Sequence, residues 1–124
     1  MTAITRYPNT AGYPLSRAIR AGDFLLLSGQ IPLDAGGQVV RGDIAAQTHA
    51  VMQRIGETLA LAGASHADVV RATVWLADIA DFAAFNEVYR TYFSEGFPTR
   101  STVEAKLALD VGIEIEMQAW LGAK

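Results

Sequence analysis

The sequence predicts one α+β domain over residues 1–124, a mixed β-sheet with two helices on one face. Three observations predict it. Two segments place apolar residues at helical spacing, with strand-like runs before, between and after them. The resulting order, β-β-(β)-α-β-α-β-β, contains no repeat, linker or low-complexity stretch. The last two strand-like runs alternate polar and apolar residues, as strands do when one face is buried and the other is wet. Two helices cover one sheet face, so the other face must be polar or lie against a partner.

Residues 16–20 and 24–28 flank Gly22-Asp23, a turn dipeptide, and read as two short strands, the second mostly apolar and buried. Pro32, Asp34, Gly36 and Gly37 supply turn chemistry before Gln38-Val39-Val40, a brief strand. Asp43 then starts a helix whose Ile44, Thr48, Val51, Met52, Ile55, Leu59 and Ala62 share one face, with Gly63 suited to its C-terminal cap. Ser65 can cap a single turn over 66–68. Val69 to Leu76 is β-branched and aromatic enough for a central strand. Asp81 can cap the second helix, where Phe82, Phe85, Tyr89, Tyr92 and Phe93 form a stripe until Gly96 and Pro98 stop it. In the final strands Ser101, Val103, Ala105 and Leu107 alternate with Arg100, Thr102, Glu104 and Lys106. Ile113, Ile115, Met117 and Ala119 alternate with Glu114, Glu116 and Gln118.

Composition narrows the function classes. A chain of 124 residues buries roughly two-thirds of its unfolded surface, enough for one core. Half of it is apolar and only 19% is charged, so some apolar surplus is left for a subunit interface. A net charge of -3 and a pI near 5.2 give no general attraction for a phosphate backbone, which argues against nucleic acid. Without cysteine there is no disulfide, thiolate metal site or nucleophilic thiol, in keeping with a reducing cytoplasm. The first fourteen residues lack the charged head and apolar run of a signal peptide, and no apolar stretch approaches the roughly 20 residues of a membrane span. A soluble, unexported protein is expected.

Arg100 is the first candidate for chemistry. It follows Gly96-Phe97-Pro98-Thr99 at the mouth of a strand, where a rigid turn can aim a guanidinium into a cleft to grip a carboxylate with two parallel hydrogen bonds. The plainer reading is a solvated or salt-bridged strand-end arginine. Glu114, between Ile113 and Ile115, is the second, against the reading of an ordinary outward carboxylate. Asn86 sits on the flank of the aromatic helix stripe, where a buried amide needs partners, either a loop or a ligand. Ser28 and Gly29 end a buried strand, and Gly29 lets a backbone or ligand come close, or serves a tight turn. His49 and His66 lack cysteines or spaced carboxylates around them and read as surface groups, not metal ligands. Trp75 and Trp120 lie in strand patterns and read as core or interface. No G-x-G-x-x-G, P-loop or G-x-S-x-G occurs.

Three segments carry a resemblance: Ser28-Gly29-Gln30-Ile31-Pro32; Asp78 and Asp81-Phe82 followed by Asn86; and Phe97-Pro98-x-Arg100-Ser101-x-Val103 with the later Ile113-Glu114-Ile115-Glu116. Together, and in order over nearly the whole chain, they resemble the Rid/YjgF family of reactive-intermediate deaminases, also known as the endoribonuclease L-PSP family. The resemblance implies a chorismate-mutase-like fold and a homotrimer with three clefts between subunits. It implies a cytoplasmic hydrolase acting on imines or enamines of 2-keto acids, such as 2-aminoacrylate, with neither metal nor organic cofactor. Arg100 would hold the carboxylate, Glu114 would orient or activate water, and Ser28, Gly29 and Asn86 would line the cleft. Two cleft positions depart from the family pattern. The frequent Pro-Tyr-Ser is Pro14-Leu15-Ser16, with Tyr13 two residues before Leu15, and the common cysteine two residues after the arginine is Thr102. The competing expectations are a protein of this fold that binds or senses a small carboxylate without turnover, and the ribonuclease activity attributed to some relatives.

Overall fold

The computed structural model describes residues 3–122. They form a six-stranded sheet with two α-helices: β1 (Ile4–Pro8), β2 (Ser16–Ala21), β3 (Phe24–Leu27), α1 (Ile44–Leu61), β4 (Val69–Leu76), α2 (Phe82–Tyr89), β5 (Thr99–Glu104) and β6 (Ile113–Trp120). The strand order is β1-β2-β3-β6-β4-β5, parallel only between β4 and β5 and antiparallel elsewhere. The expected mixed sheet of an α+β fold is observed.

Both helices lie on one face. Leu25 and Leu27 of β3, Ala72, Val74 and Leu76 of β4, and the alternate residues Ile113, Ile115, Met117 and Ala119 of β6 are buried with Val51, Met52, Ile55 and Leu59 of α1 and Phe85 and Tyr89 of α2. Period-2 strands thereby present one side to a period-3.6 helical stripe. Asp43 caps α1 as expected, its Oδ1 accepting from the Ala46 N–H at 2.9 Å, and Gly63 just beyond the helix end takes the left-handed backbone, φ 72°, that suits glycine.

The other face carries no helix among the described residues. Cross-strand pairs place Phe24 beside Trp120, Leu26 beside Gln118, Thr73 beside Glu116, and Trp75 between Glu114 and Val103. Phe24, Leu26 and Trp120 at one end of this face and Val103 at the other keep between 40% and 47% of their surface exposed, apolar area left uncovered within one chain.

Several expectations are corrected. β1 was not expected. It is an exposed edge strand held by backbone pairing to β2, with only Tyr7 half-buried, so it carries no apolar alternation. Residues 38–40 make one isolated bridge, Val39 to Leu33, in place of a strand. The second helix ends at Tyr89 and continues as a 3-10 turn over Arg90–Tyr92, with Phe93 extended. Asp81 makes no capping bond; Asp78 accepts from Ala80 N–H at 2.9 Å, and Glu104 at the end of β5 accepts from Ile79 N–H at 2.9 Å. His66 is no surface group. Its Nε2 lies 3.0 Å from the Met52 carbonyl oxygen, its ring packs tilted against Tyr92 and edge-on to Phe93, and burial lowers its pKa. Gly56 makes room, since a Cβ there would stand 2.9 Å from His66 Cε1.

Candidate functional site

The alternation expected for β5 is reversed, and the reversal builds the site. Arg100 is paired with Ala72 and Thr102 with Val74, both fully buried, so Arg100 and Thr102 point to the helix-covered side while Ser101 and Val103 face the open side. Apolarity misled here because β5 is an edge strand lying over α2, whose aromatic stripe supplies the apolar contact that β5 does not. Arg100 Cζ sits 4.9 Å from the ring centre of Tyr89, 5.0 Å from Phe85 and 5.6 Å from Phe82. Three rings hold the guanidinium through their faces, an arrangement that favours the cation without occupying its N–H donors. Among the described residues Arg100 has no hydrogen bond or ion pair. It borders a cavity of about 310 Å³, together with Asn86, Tyr89, Arg90, Phe97 and Pro98. Pro98 fixes the backbone just before the strand, which sets where Arg100 enters.

The Asn86 side-chain amide makes no hydrogen bond among the described residues and borders this cavity, so no loop is tied through it there. Among the described residues the hydroxyls of Tyr89 and Thr102 are buried without a partner. Burial pushes the Tyr89 phenol up to about 12, with Arg100 opposing the shift, so Tyr89 is a neutral donor at any working pH. Tyr89, Phe82 and Phe85 were read from the sequence as a helical stripe, without a tie to Arg100. Their spacing on the face that meets β5 is the signal that ties them to Arg100. A buried hydroxyl without a partner costs about 1–3 kcal/mol. Thr102→Val, which replaces that hydroxyl with a methyl of similar size, is therefore expected to raise stability by about 1 kcal/mol, read as a higher urea midpoint; a lower midpoint would show that the hydroxyl has a partner.

Glu114 stands elsewhere. It lies on the open face, opposite Trp75, and its carboxyl group rests against the backbone of Gly29. A Cβ at residue 29 would overlap Glu114 Oε2 and stand 3.1 Å from its Cδ, so the close approach that Gly29 permits is that of Glu114. The backbone of Gln30 pins this segment to β6 through two bonds with Ile115, of 2.8 and 3.0 Å. The Glu114 carboxyl group has no hydrogen bond among the described residues; burial, then the like charge of Glu116, raises its pKa. Ser28 Oγ donates to the Ser16 carbonyl oxygen at 2.5 Å and borders a hollow with Glu116 and Gln118. Leu15 is half exposed and borders a different cavity, near α1, and Tyr13 does not border the Arg100 cavity.

The expected site residues thus separate into two groups. Arg100, Asn86 and Thr102 lie toward α2, whereas Glu114, Gly29 and Ser28 lie on the open side of the same sheet. A sheet divides them within one chain.

The profile of the endoribonuclease L-PSP family matches residues 5–121. The chain belongs to the Rid/YjgF family. It is 50% identical over 109 residues to a RutC family protein of Pyrococcus horikoshii, covering 86% of each chain. It is 40% identical over 107 residues to 2-iminobutanoate/2-iminopropanoate deaminase of goat, Capra hircus, covering 86% of this chain and 77% of that one. Among solved structures, a Rid-family protein from Yersinia pestis superposes with a TM-score of 0.88 at 34% identity, over 95% of this chain and 99% of the other. The fold of this Rid-family chain is therefore the family's fold. No helix among the described residues is long and apolar enough to cross a membrane.

Proposed function

We propose that this protein hydrolyses small 2-imino and 2-enamino acids, such as 2-aminoacrylate, to 2-keto acids and ammonia, as a cytoplasmic homotrimer. The observation that carries the reading is Arg100: a guanidinium held by three aromatic faces, its donors free, at the mouth of a cavity. Such a group matches a planar carboxylate in both geometry and charge. The goat relative, named for deamination of two imino acids, supports the reaction class.

The chemistry asks little more of the protein. The enamine tautomerises to the imine, water adds to the C=N carbon, and Glu114 takes a proton from that water. Glu114 passes that proton to the nitrogen, giving the hemiaminal, whose hydroxyl proton then moves to the nitrogen as the C=O bond forms, the C–N bond breaks and ammonia leaves. A raised carboxylate pKa makes Glu114 a better base than an ordinary glutamate. An imine is already electrophilic, so positioning plus one acid/base group accounts for the rate gain without a metal or organic cofactor.

Arg100 and Glu114 on opposite sheet faces of one chain favour a site assembled between copies, with Arg100 from one subunit and Glu114 from the next. Phe24, Leu26, Val103 and Trp120 supply the apolar surface for that contact. Leu15, where relatives often carry tyrosine, favours a second reading, binding of a keto acid without turnover. The deciding experiment adds purified protein to freshly generated 2-aminoacrylate and follows keto acid. Release above the buffer rate is expected; a buffer-like rate with saturable keto-acid binding would favour the second reading.

A further inference from the structure

A second cavity, of about 500 Å³, shares no bordering residue with the one at Arg100. Its charged groups are Arg17, Arg54 and the exposed Glu57. Arg17 reaches it through a β-bulge: Tyr7 pairs with Ala18 and Pro8 with Ser16, so Arg17 is the extra residue on β2 and turns toward α1. There Arg17 Nε donates to Thr58 Oγ1 at 2.8 Å, and the Thr58 hydroxyl donates to the Arg54 carbonyl oxygen at 3.1 Å. Arg54 Nε donates to Gln30 Oε1 at 3.3 Å, and the Gln30 amide donates to the Ser28 carbonyl oxygen at 3.1 Å.

Each guanidinium is thus braced through Nε by a neutral side chain that is itself fixed. The Nη groups of both have no hydrogen bond, and no carboxylate stands at ion-pair distance from either, among the described residues. The two charges repel, since burial and then the charge of Arg17 lower the pKa of Arg54, with Glu57 only partly offsetting them. Rigid arginines whose free donors border one cavity fit an oxyanion. Leu15 and Leu33 add an apolar wall, and the volume falls in the range of small-molecule sites.

We propose that Arg17 and Arg54 form a second binding site, for a small organic anion whose phosphate or carboxylate head lies between the two guanidiniums and whose apolar body lies against Leu15 and Leu33. β2 and β5 are four strand spacings apart, about 19 Å, so within one chain this site is separate from Arg100.

The test titrates phenyl phosphate and benzoate calorimetrically into the Arg100→Gln protein, which removes the carboxylate anchor of the proposed reaction, so that failure of either reading leaves the other standing. Saturable binding of at least one probe is expected, and which of them binds identifies the head. Adding Arg17→Gln and Arg54→Gln should weaken it about tenfold or more, whereas Glu57→Gln should tighten it several-fold by removing a competing anion. Tightening cannot come from misfolding, so the Glu57→Gln arm decides the matter if the double substitution unfolds the chain. Absence of saturable heat with both probes, undiminished binding in a folded double variant, or no tightening in Glu57→Gln would overturn the proposal.

Discussion

Arg100→Ala is expected to lower kcat/KM for keto-acid release by about 10²–10⁴, because two hydrogen bonds to a charged group, each worth about 1.5–3 kcal/mol, are lost from every bound state. The loss should fall largely on KM where substrate and transition state are gripped alike. Truncation also removes the cation from the faces of Phe82, Phe85 and Tyr89, each contact worth about 0.5–2 kcal/mol, so the melting temperature should fall too. Arg100→Lys separates the two effects. It keeps the charge over the rings but not the planar fork, and should retain most of the stability while recovering only part of the affinity. Keto-acid kinetics and melting curves on the three proteins check this; an Arg100→Ala enzyme with wild-type kinetics would remove the anchor from the account.

Glu114→Gln should lower kcat by about 10²–10⁴ with KM little changed, the pattern of a lost base in place of a lost binding group. Burial and Glu116 raise the Glu114 pKa in the folded protein. Catalysis needs the ionised form, so the rate should rise with pH along an acid limb placed above the ordinary carboxylate range. Glu116→Gln removes the like charge and should move that limb to lower pH. The stability linkage has the opposite sign from a salt-bridged carboxylate. A raised folded pKa gives a stability contribution present at low pH that is lost as pH rises through it. Glu114→Gln removes that loss, so the variant should be no less stable than wild type at neutral pH, and its lost rate cannot be ascribed to unfolding. A pH profile of kcat for the three proteins, with melting curves alongside, checks both signs.

What was legible in the sequence followed the strength of its periodic signals. The face of α1 from Ile44 to Leu59 and the alternation of β6 from Ile113 to Ala119 are long, regular and buried as expected. β1 was hidden because an exposed edge strand needs only backbone bonds. The second helix was overextended because the aromatic stripe continues through Tyr92 and Phe93 after the helical bonds stop, the last rings packing around His66. Arg100 was found by its position after Pro98 and Glu114 by its place in a strand, and the face of Glu114 followed from the alternation of β6, whereas that of Arg100 did not follow from β5. Polarity normally marks the wet side of a strand, and Arg100 breaks that rule by packing on three rings. The Arg17–Arg54 pair was invisible as well, since a bulge at one residue of β2 decides where Arg17 points.

In the proposed assembly one working site takes Arg100 from one copy and Glu114 from another, which mixed subunits can test. Arg100→Ala and Glu114→Gln proteins, each nearly inactive alone, are co-refolded in equal amounts and assayed for keto-acid release. With random assembly of a closed ring, about one quarter of the shared sites receive an intact Arg100 and an intact Glu114, so about a quarter of wild-type activity should return. Activity no greater than the sum of the two parents, from mixed assemblies shown to have formed, would contradict the account.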